Sequence, residues 1–394
     1  MFSRRTAWNL STNRYTEALE AHRRSGRELL DLTASNPTTV GLKYDEYGLL
    51  YALTSRKALT YQPAPKGLLA AREAIASYYM EKGASLRPDD LILTTSTSEG
   101  YSFVFRLLCD PGDAVLVPTP SYPLFDFLAD LNDTKLIPYE LVYDHGWEID
   151  FPSLRQAIER ADSQAVRCRA ALVVHPNNPT GSYVKPHEAV ELNRICSAHG
   201  MSIIADEVFL DYRLGDQSAH TFAANEAALT FTLSGLSKIS ALPQMKVAWI
   251  VASGPPGFKA DALARLELIA DTYLSMNAPI QHAMPDMLAK RKSIQSQLAE
   301  RMSSNLAVLE ELLGKQSLCE RLAIEGGWYI VLRVPVLGSD EDLAITLLQD
   351  TGVLLQPGHF YNFPMDGYLI ASLITPSGEF HTGLERVLSY IERR

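Results

Sequence analysis

Residues 170–181, AALVVHPNNPTG, and residues 201–208, MSIIADEV, decide the fold. In each, an almost unbroken run of Ala, Val, Leu and Ile stops abruptly at polar residues. A strand with one wet face alternates apolar and polar residues, whereas a continuous apolar run suits a strand covered on both faces. Similar runs flank these two: LILTT (91–95), AVLVP (114–118), KLIPY (135–139), LTFTLSG (229–235) and VAWIVA (247–252). Helix-like or loop segments separate them. Strands and helices in alternation predict an α/β fold with a mostly parallel central sheet. Ligands of open sheets gather at the carboxyl ends of the strands, here where Asp206 and Ser234 stand.

Outside this region the pattern changes. A charged helical stretch (15–27) precedes an extended segment, LLDLTASNP (29–37). Between Gly67 and Gly83 an amphipathic helix is expected, with Leu68, Leu69, Ala71, Ile75, Ala76 and Tyr79 on one face. After a long charged helix (288–313) come GGWYIVLRV (326–334), a helix near 341–351, a turn PGHFYNF (357–363), a strand YLIASLIT (368–375) and a closing helix. A chain of 394 residues exceeds what a single core usually organises. The expected division is a large α/β domain over 46–287 and a smaller, discontinuous α+β domain over 1–45 and 288–394.

The formal net charge of -10 disfavours a nucleic-acid partner. No apolar run approaches a membrane span, and no apolar segment follows MFSRR, so a membrane or secretory location is not expected and a cytoplasmic one is. Cys109, Cys168, Cys196 and Cys319 are scattered without metal-ligand spacing, so neither a metal site nor a disulfide framework is expected.

Several residues that can carry chemistry follow the apolar runs. Thr95-Ser96-Thr97-Ser98-Glu99-Gly100 succeeds LILTT; Ser96 and Glu99 have capping-box spacing, and free amide donors at such a helix start bind anions. Tyr122 follows AVLVP and could stack on a planar ring. Asn178 lies in the NNPTG turn as a neutral donor. Asp206 ends an apolar strand, where a carboxylate needs a partner. Lys238, in SGLSK, follows another strand, and a lysine in a dry pocket forms imines with aldehydes. Taken singly, each has a plainer reading: a capped helix, a half-buried turn tyrosine, a shaped loop, a solvated lysine. His175 reads as a structural histidine. The glycine-rich dinucleotide fingerprint and the nucleotide P-loop are both missing.

Together and in this order, the NNPTG, ADEV and SGLSK blocks resemble the class I/II aminotransferases of the pyridoxal 5'-phosphate (PLP)-dependent fold-type-I superfamily, and the resemblance runs from Tyr61 to the C-terminal domain. It implies that Lys238 carries PLP as a Schiff base, that Asp206 pairs with the pyridine nitrogen, and that Asn178 donates to the ring oxygen. These three are the implied catalytic residues. Tyr122 would stack on the ring. Phosphate contacts would come from Thr97, Ser98, Ser234 or Ser237, and Lys246. Tyr61 resembles the tyrosine that reaches the neighbouring subunit's cofactor, which implies a homodimer. The implied reaction moves the amino group of an amino acid to a 2-oxo acid.

Three positions depart from the family pattern. Phe209 replaces a tyrosine that would donate to the ring oxygen. Lys246 replaces the usual phosphate-binding arginine, keeping charge but losing the bidentate fork. Ile370 stands where an arginine would hold the substrate carboxylate. Either another basic group serves, with Arg4, Arg5, Arg56, Lys57, Arg333 and His359 as candidates, or the substrate class differs. The alternatives are a PLP-dependent C–S or β-elimination lyase on the same fold, and a PLP-binding protein with altered or lost catalysis.

Overall fold

A computed structural model describes residues 1–123, 125–215, 220–274, 276–336 and 338–393. Its central sheet has eight strands, in the order Leu91–Thr94, Ala248–Ser253, Thr230–Gly235, Ser202–Asp206, Cys168–Val174, Ala114–Thr119, Lys135–Tyr143 and Trp147–Ile149. From Thr230–Gly235 through Lys135–Tyr143 every neighbouring pair is parallel. Ala248–Ser253 runs antiparallel to both of its neighbours. Ala248 is thus aligned with Thr94 on one side and Gly235 on the other, so both of those strands end at the same edge. This edge carries Thr95, His175, Asp206 and Gly235.

The apolar runs form strands for the expected reason. Ser202–Asp206, Thr230–Gly235 and Ala248–Ser253 are buried along their whole length. Helices cover both faces. Thr97–Leu108 contributes Phe103, Val104 and Phe105 to one side, with Leu263 and Leu266 nearby; Ala157, Ile158, Leu192 and Ile195 cover Ala171, Val173 and Ile203 on another.

The helix between Gly67 and Gly83 spans Leu69–Met80. Its buried face holds Ala71, Ile75, Ala76, Tyr78 and Tyr79, while Leu69 is exposed. Tyr78 takes an inward place because its ring packs edge-on to Trp249, 6.1 Å between centroids, and its hydroxyl donates to Asp211 at 3.0 Å. At Thr97–Leu108 the cap is also shifted from expectation. Ser96 Oγ accepts the Glu99 N–H at 3.1 Å, but Glu99 reaches back to the Thr95 N–H at 2.6 Å rather than to that of Ser96. The long charged region forms one helix, Arg291–Leu313, preceded by a separate helix, Ala278–Ala289.

A second, antiparallel sheet orders its strands Glu320–Arg321, Tyr329–Arg333, Tyr368–Ser372 and Gln356–Pro357. The N-terminal segment joins this region. Leu30–Asp31 pairs in parallel with Val353–Leu354, and the Ser372 N–H donates to the Leu32 carbonyl at 2.7 Å. Two connections bring the small sheet over the large one's carboxyl edge. The Ser121 N–H donates to the Tyr361 carbonyl at 2.9 Å, and Thr119 Oγ1 donates to that of Asn362 at 2.8 Å.

Candidate active site

Lys238 lies in the short helix Leu236–Ile239, immediately beyond the strand Thr230–Gly235. Its Nζ is over the Trp328 ring, 4.6 Å from the centroid, and 5.3 Å from that of Phe209. Burial lowers the pKa of this amine to about 8, with the Asp206 charge pulling the other way. A sizeable neutral fraction near neutral pH makes it a nucleophile toward an aldehyde. The backbone is held from behind: the Tyr212 hydroxyl donates to the Lys238 carbonyl at 2.5 Å.

Asp206 closes its strand with both carboxylate oxygens engaged. Oδ2 accepts from the Tyr101 hydroxyl at 2.8 Å and Oδ1 from the Val208 N–H at 3.1 Å. Burial pushes this carboxyl above the usual range, while those two donors and the lysine draw it down. The adjacent Glu207 faces elsewhere. It accepts from Thr221 Oγ1 and the Phe222 N–H, both at 2.6 Å, and burial pushes it up to about 8.

The two asparagines of NNPTG have different tasks. Asn177 is spent on the turn: its Oδ1 accepts from Thr180 Oγ1 at 3.0 Å and its Nδ2 donates to Ser121 Oγ at 3.3 Å. Asn178 is not, and its buried Oδ1 lacks any hydrogen-bond partner among the described residues. His175 is structural, as its sequence reading holds. Its Nδ1 accepts the Val184 N–H at 3.0 Å, which places the ring proton on Nε2, 2.8 Å from the His220 carbonyl. Burial drives its pKa down to about 3, so it stays neutral.

Gly181 ends the turn at φ +70, and a Cβ there would sit 2.4 Å from the Gly326 carbonyl oxygen. This close approach lets the Glu325 and Gly326 N–H groups donate to the Gly181 carbonyl, at 3.2 and 2.9 Å. The clasp delivers the next residues, Gly327-Trp328-Tyr329, to the lysine.

Tyr122 is 38% exposed, with its ring edge-on to Phe125 at 5.8 Å; burial of its hydroxyl end and the nearby Asp206 charge raise that hydroxyl to about 12. Thr97 and Ser98 open their helix, where the first amides lack intrahelical acceptors. Of the two serines near the lysine, Ser234 is fully buried and its hydroxyl donates to the Glu207 carbonyl at 3.3 Å, so Ser237, half-buried, is the one left available. Lys246 is exposed at φ +53. Tyr61 is 76% exposed. Ile370 is wholly buried, in register between Val331 and Gln356.

The profile of the family "Aminotransferase class I and II" matches residues 8–372. The chain belongs to that family. Its members are PLP-dependent, and this aminotransferase is 28% identical over 380 residues to the glutamate-pyruvate aminotransferase AlaA of Haemophilus influenzae, covering 92% of this chain and 91% of that one. It is 25% identical over 376 residues to an alanine aminotransferase of Mycobacterium tuberculosis, covering 93% and 86%. An alanine aminotransferase from Pyrococcus furiosus superposes with a TM-score of 0.86 over the whole of both chains at 22% identity, and a tyrosine aminotransferase from Leishmania infantum with 0.82 over 99% and 100% at 21%. These two likenesses establish the α/β aminotransferase fold. Among the described residues no helix is long and apolar enough to cross a membrane.

Two of the aminotransferase's basic candidates for the role of the expected arginine are paired with acidic residues, and the others are exposed. Arg5 pairs with Asp133, beyond the far end of the helix Phe125–Leu131. Arg333 pairs with Glu320 at 2.6 Å and stacks over Tyr143. His359 is exposed against Phe360, and Arg4 is exposed in the N-terminal turn. Arg56 and Lys57 are exposed in the turn Arg56–Leu59. Tyr101 escaped the sequence reading. The available signal was spacing: it stands four residues after Thr97 and three after Ser98, hence on the same helix face.

Proposed function

We propose that this aminotransferase holds PLP on Lys238 and transfers the amino group of an amino acid to a 2-oxo acid. The observation that carries the reading is the buried Lys238 amine, lowered to about 8 beside Asp206 at the carboxyl edge of the sheet. The residues present fit the cofactor: Asp206 is a dry strand-end carboxylate, and Thr97 and Ser98 stand at a helix start.

When bound, PLP supplies an aldehyde for amines and a ring that withdraws electrons from the carbon attached to the substrate nitrogen. The protein's residues do the rest. Lys238 Nζ, kept partly neutral by burial, takes the substrate Cα proton and returns it. Asp206 holds positive charge on the ring nitrogen. Asn178 binds the ring oxygen, a task Phe209 cannot share, and Tyr122 covers the ring face. Thr97, Ser98, Ser237 and Lys246 bind the phosphate, Lys246 as a point charge. Trp328 and Phe209 exclude water from the amine.

The second subunit of a homodimer completes the site through Tyr61. Its exposure supports this, as does the exposure of the large apolar residues Tyr47, Leu50, Tyr51 and Leu59 that precede it in the chain. With Ile370 buried, Arg56 and Lys57 travel with Tyr61 toward the neighbouring site and take the substrate carboxylate. The names of the relatives, for alanine or for glutamate and pyruvate, support an α-amino acid and a 2-oxo acid as substrates. The division into 46–287 and 1–45 with 288–394 is part of the same reading, supported by the pairing of Leu30–Asp31 with Val353–Leu354.

The test is borohydride reduction of the PLP-loaded protein, then peptide mass spectrometry and single-turnover assays with individual amino acids. The expected result is label on Lys238 and one 2-oxo acid per aminated cofactor. Label elsewhere, or turnover that releases ammonia without a second 2-oxo acid, overturns the reading.

A further inference from the structure

Tyr101 is buried in the helix Thr97–Leu108, one turn beyond the helix start. Its ring packs edge-on to Phe125, 5.4 Å between centroids, and tilted against Phe105 at 6.0 Å. Phe125 is itself edge-on to Tyr122. A phenol has one hydrogen to give, and here it goes to Asp206 Oδ2 at 2.8 Å. Burial and the neighbouring carboxylate push the Tyr101 hydroxyl far above its ordinary value, so it remains a donor across any physiological pH.

A dry carboxylate has two failings as a partner for a ring cation: it can rotate, and it can pick up a proton. The Val208 N–H, at 3.1 Å from Oδ1, restrains one oxygen and leaves the other free to do both. We propose that Tyr101 is a positioning residue that fixes the rotation of Asp206 and keeps it anionic toward the cofactor's ring nitrogen. This rests on the reading that Asp206 faces that nitrogen. The helix Thr97–Leu108 then serves both ends of one cofactor, the phosphate through Thr97 and Ser98 and the ring through Tyr101 and Asp206. Because Tyr101 and Tyr122 share Phe125, the stacking ring belongs to the same packed unit.

The experiment compares Y101F, D206N and the double variant, each loaded with ring-¹⁵N-labelled PLP, with the cofactor dissociation constant measured in parallel. Y101F removes one oxygen and keeps the ring packing. It should move the ¹⁵N resonance toward the unprotonated ring, weaken cofactor binding about 10-fold, as expected for loss of a hydrogen bond to a charged group, and lower kcat more than it raises KM. In the D206N background the same change should have little further effect. F105L disturbs the ring's packing without touching the hydroxyl; it should lower thermal stability and leave the resonance in place. A silent Y101F beside a responsive D206N overturns the role of Tyr101 alone, as does an equal Y101F loss in both backgrounds. A D206N variant with unchanged resonance and affinity overturns the reading of Asp206 and the Tyr101 proposal with it.

Discussion

The Nζ of Lys238 lies over the ring of Trp328, 4.6 Å from its centroid. The two residues are 90 positions apart and belong to different sheets' surroundings: the lysine follows a strand of the large sheet, the tryptophan precedes the first long strand of the small one. The face of an aromatic ring attracts a cation, but a fully buried ring also removes water, and here desolvation is the larger effect because the amine is lowered rather than raised. The small sheet therefore sets the reactivity of a residue in the large one.

The first consequence concerns pH. Unfolded, this lysine titrates at the ordinary 10.5; folded and cofactor-free, at about 8. Between those values the unfolded chain holds a proton that the fold has released, so stability rises with pH across that interval; below it this group lowers stability by a constant amount. K238M removes the group. It should be more stable than the parent below pH 8, by at most about 3 kcal/mol at 1.36 kcal/mol per unit, and the gap should close by pH 10.5. Urea unfolding of the two cofactor-free proteins at several pH values measures it.

His175 gives the opposite end of the scale. Its folded pKa of about 3 lies below the ordinary 6.5, so an unfolded chain gains a proton that the fold refuses. Stability should fall as pH drops from 6.5 toward 3. H175Q should show a shallower decline over that interval in the same unfolding assay, from a lower starting stability because the bond from the Val184 N–H is disturbed.

On the proposed binding of the cofactor, F209Y would add a hydroxyl beside its ring oxygen. A second donor there stabilises the ionised ring oxygen and should lower the pH at which the lysine-linked cofactor titrates by about one unit. An absorbance titration reads the shift directly.

At Gly181 a methyl group meets the Gly326 carbonyl, and the backbone is already at φ +70. G181A should cost about 2 kcal/mol, within the usual range for a forced left-handed residue. It should also loosen cofactor binding, because the clasp that delivers Trp328 parts. Thermal unfolding and a cofactor titration separate the two effects.

Subunit mixing tests the dimer. Y61A and K238A are each expected to be impaired. Mixed dimers have one site with both lesions and one with neither, so activity should reappear on mixing. R56A and K57A should raise KM for the amino acid about tenfold, the loss expected for a charged hydrogen bond, and steady-state kinetics at fixed 2-oxo acid concentration checks it.

The sequence alone determined the sheet and the order of the site. Runs such as SIIAD and AALVV are too apolar to face water, so both faces had to be covered, and their polar ends had to meet at one edge because parallel strands finish together. Asp206, Asn178 and Lys238 were therefore legible from position along the chain. The helix between Gly67 and Gly83 was legible too, except that periodicity could not choose between Leu69 and Tyr78 for the inward face. Tertiary structure decided what touches what across the chain. Spacing put Tyr101 on the helix face of Thr97 and Ser98, but only the fold set its hydroxyl against a carboxylate 105 residues away. Ser234 and Ser237 were equivalent candidates until the strand edge turned one hydroxyl inward to the Glu207 carbonyl. Trp328 and Phe209 became the walls of the lysine's pocket only when the Gly181–Gly326 clasp joined the two sheets. Local pattern reports what a residue must hide; which polar or charged group it then meets depends on long-range packing, which no periodicity encodes.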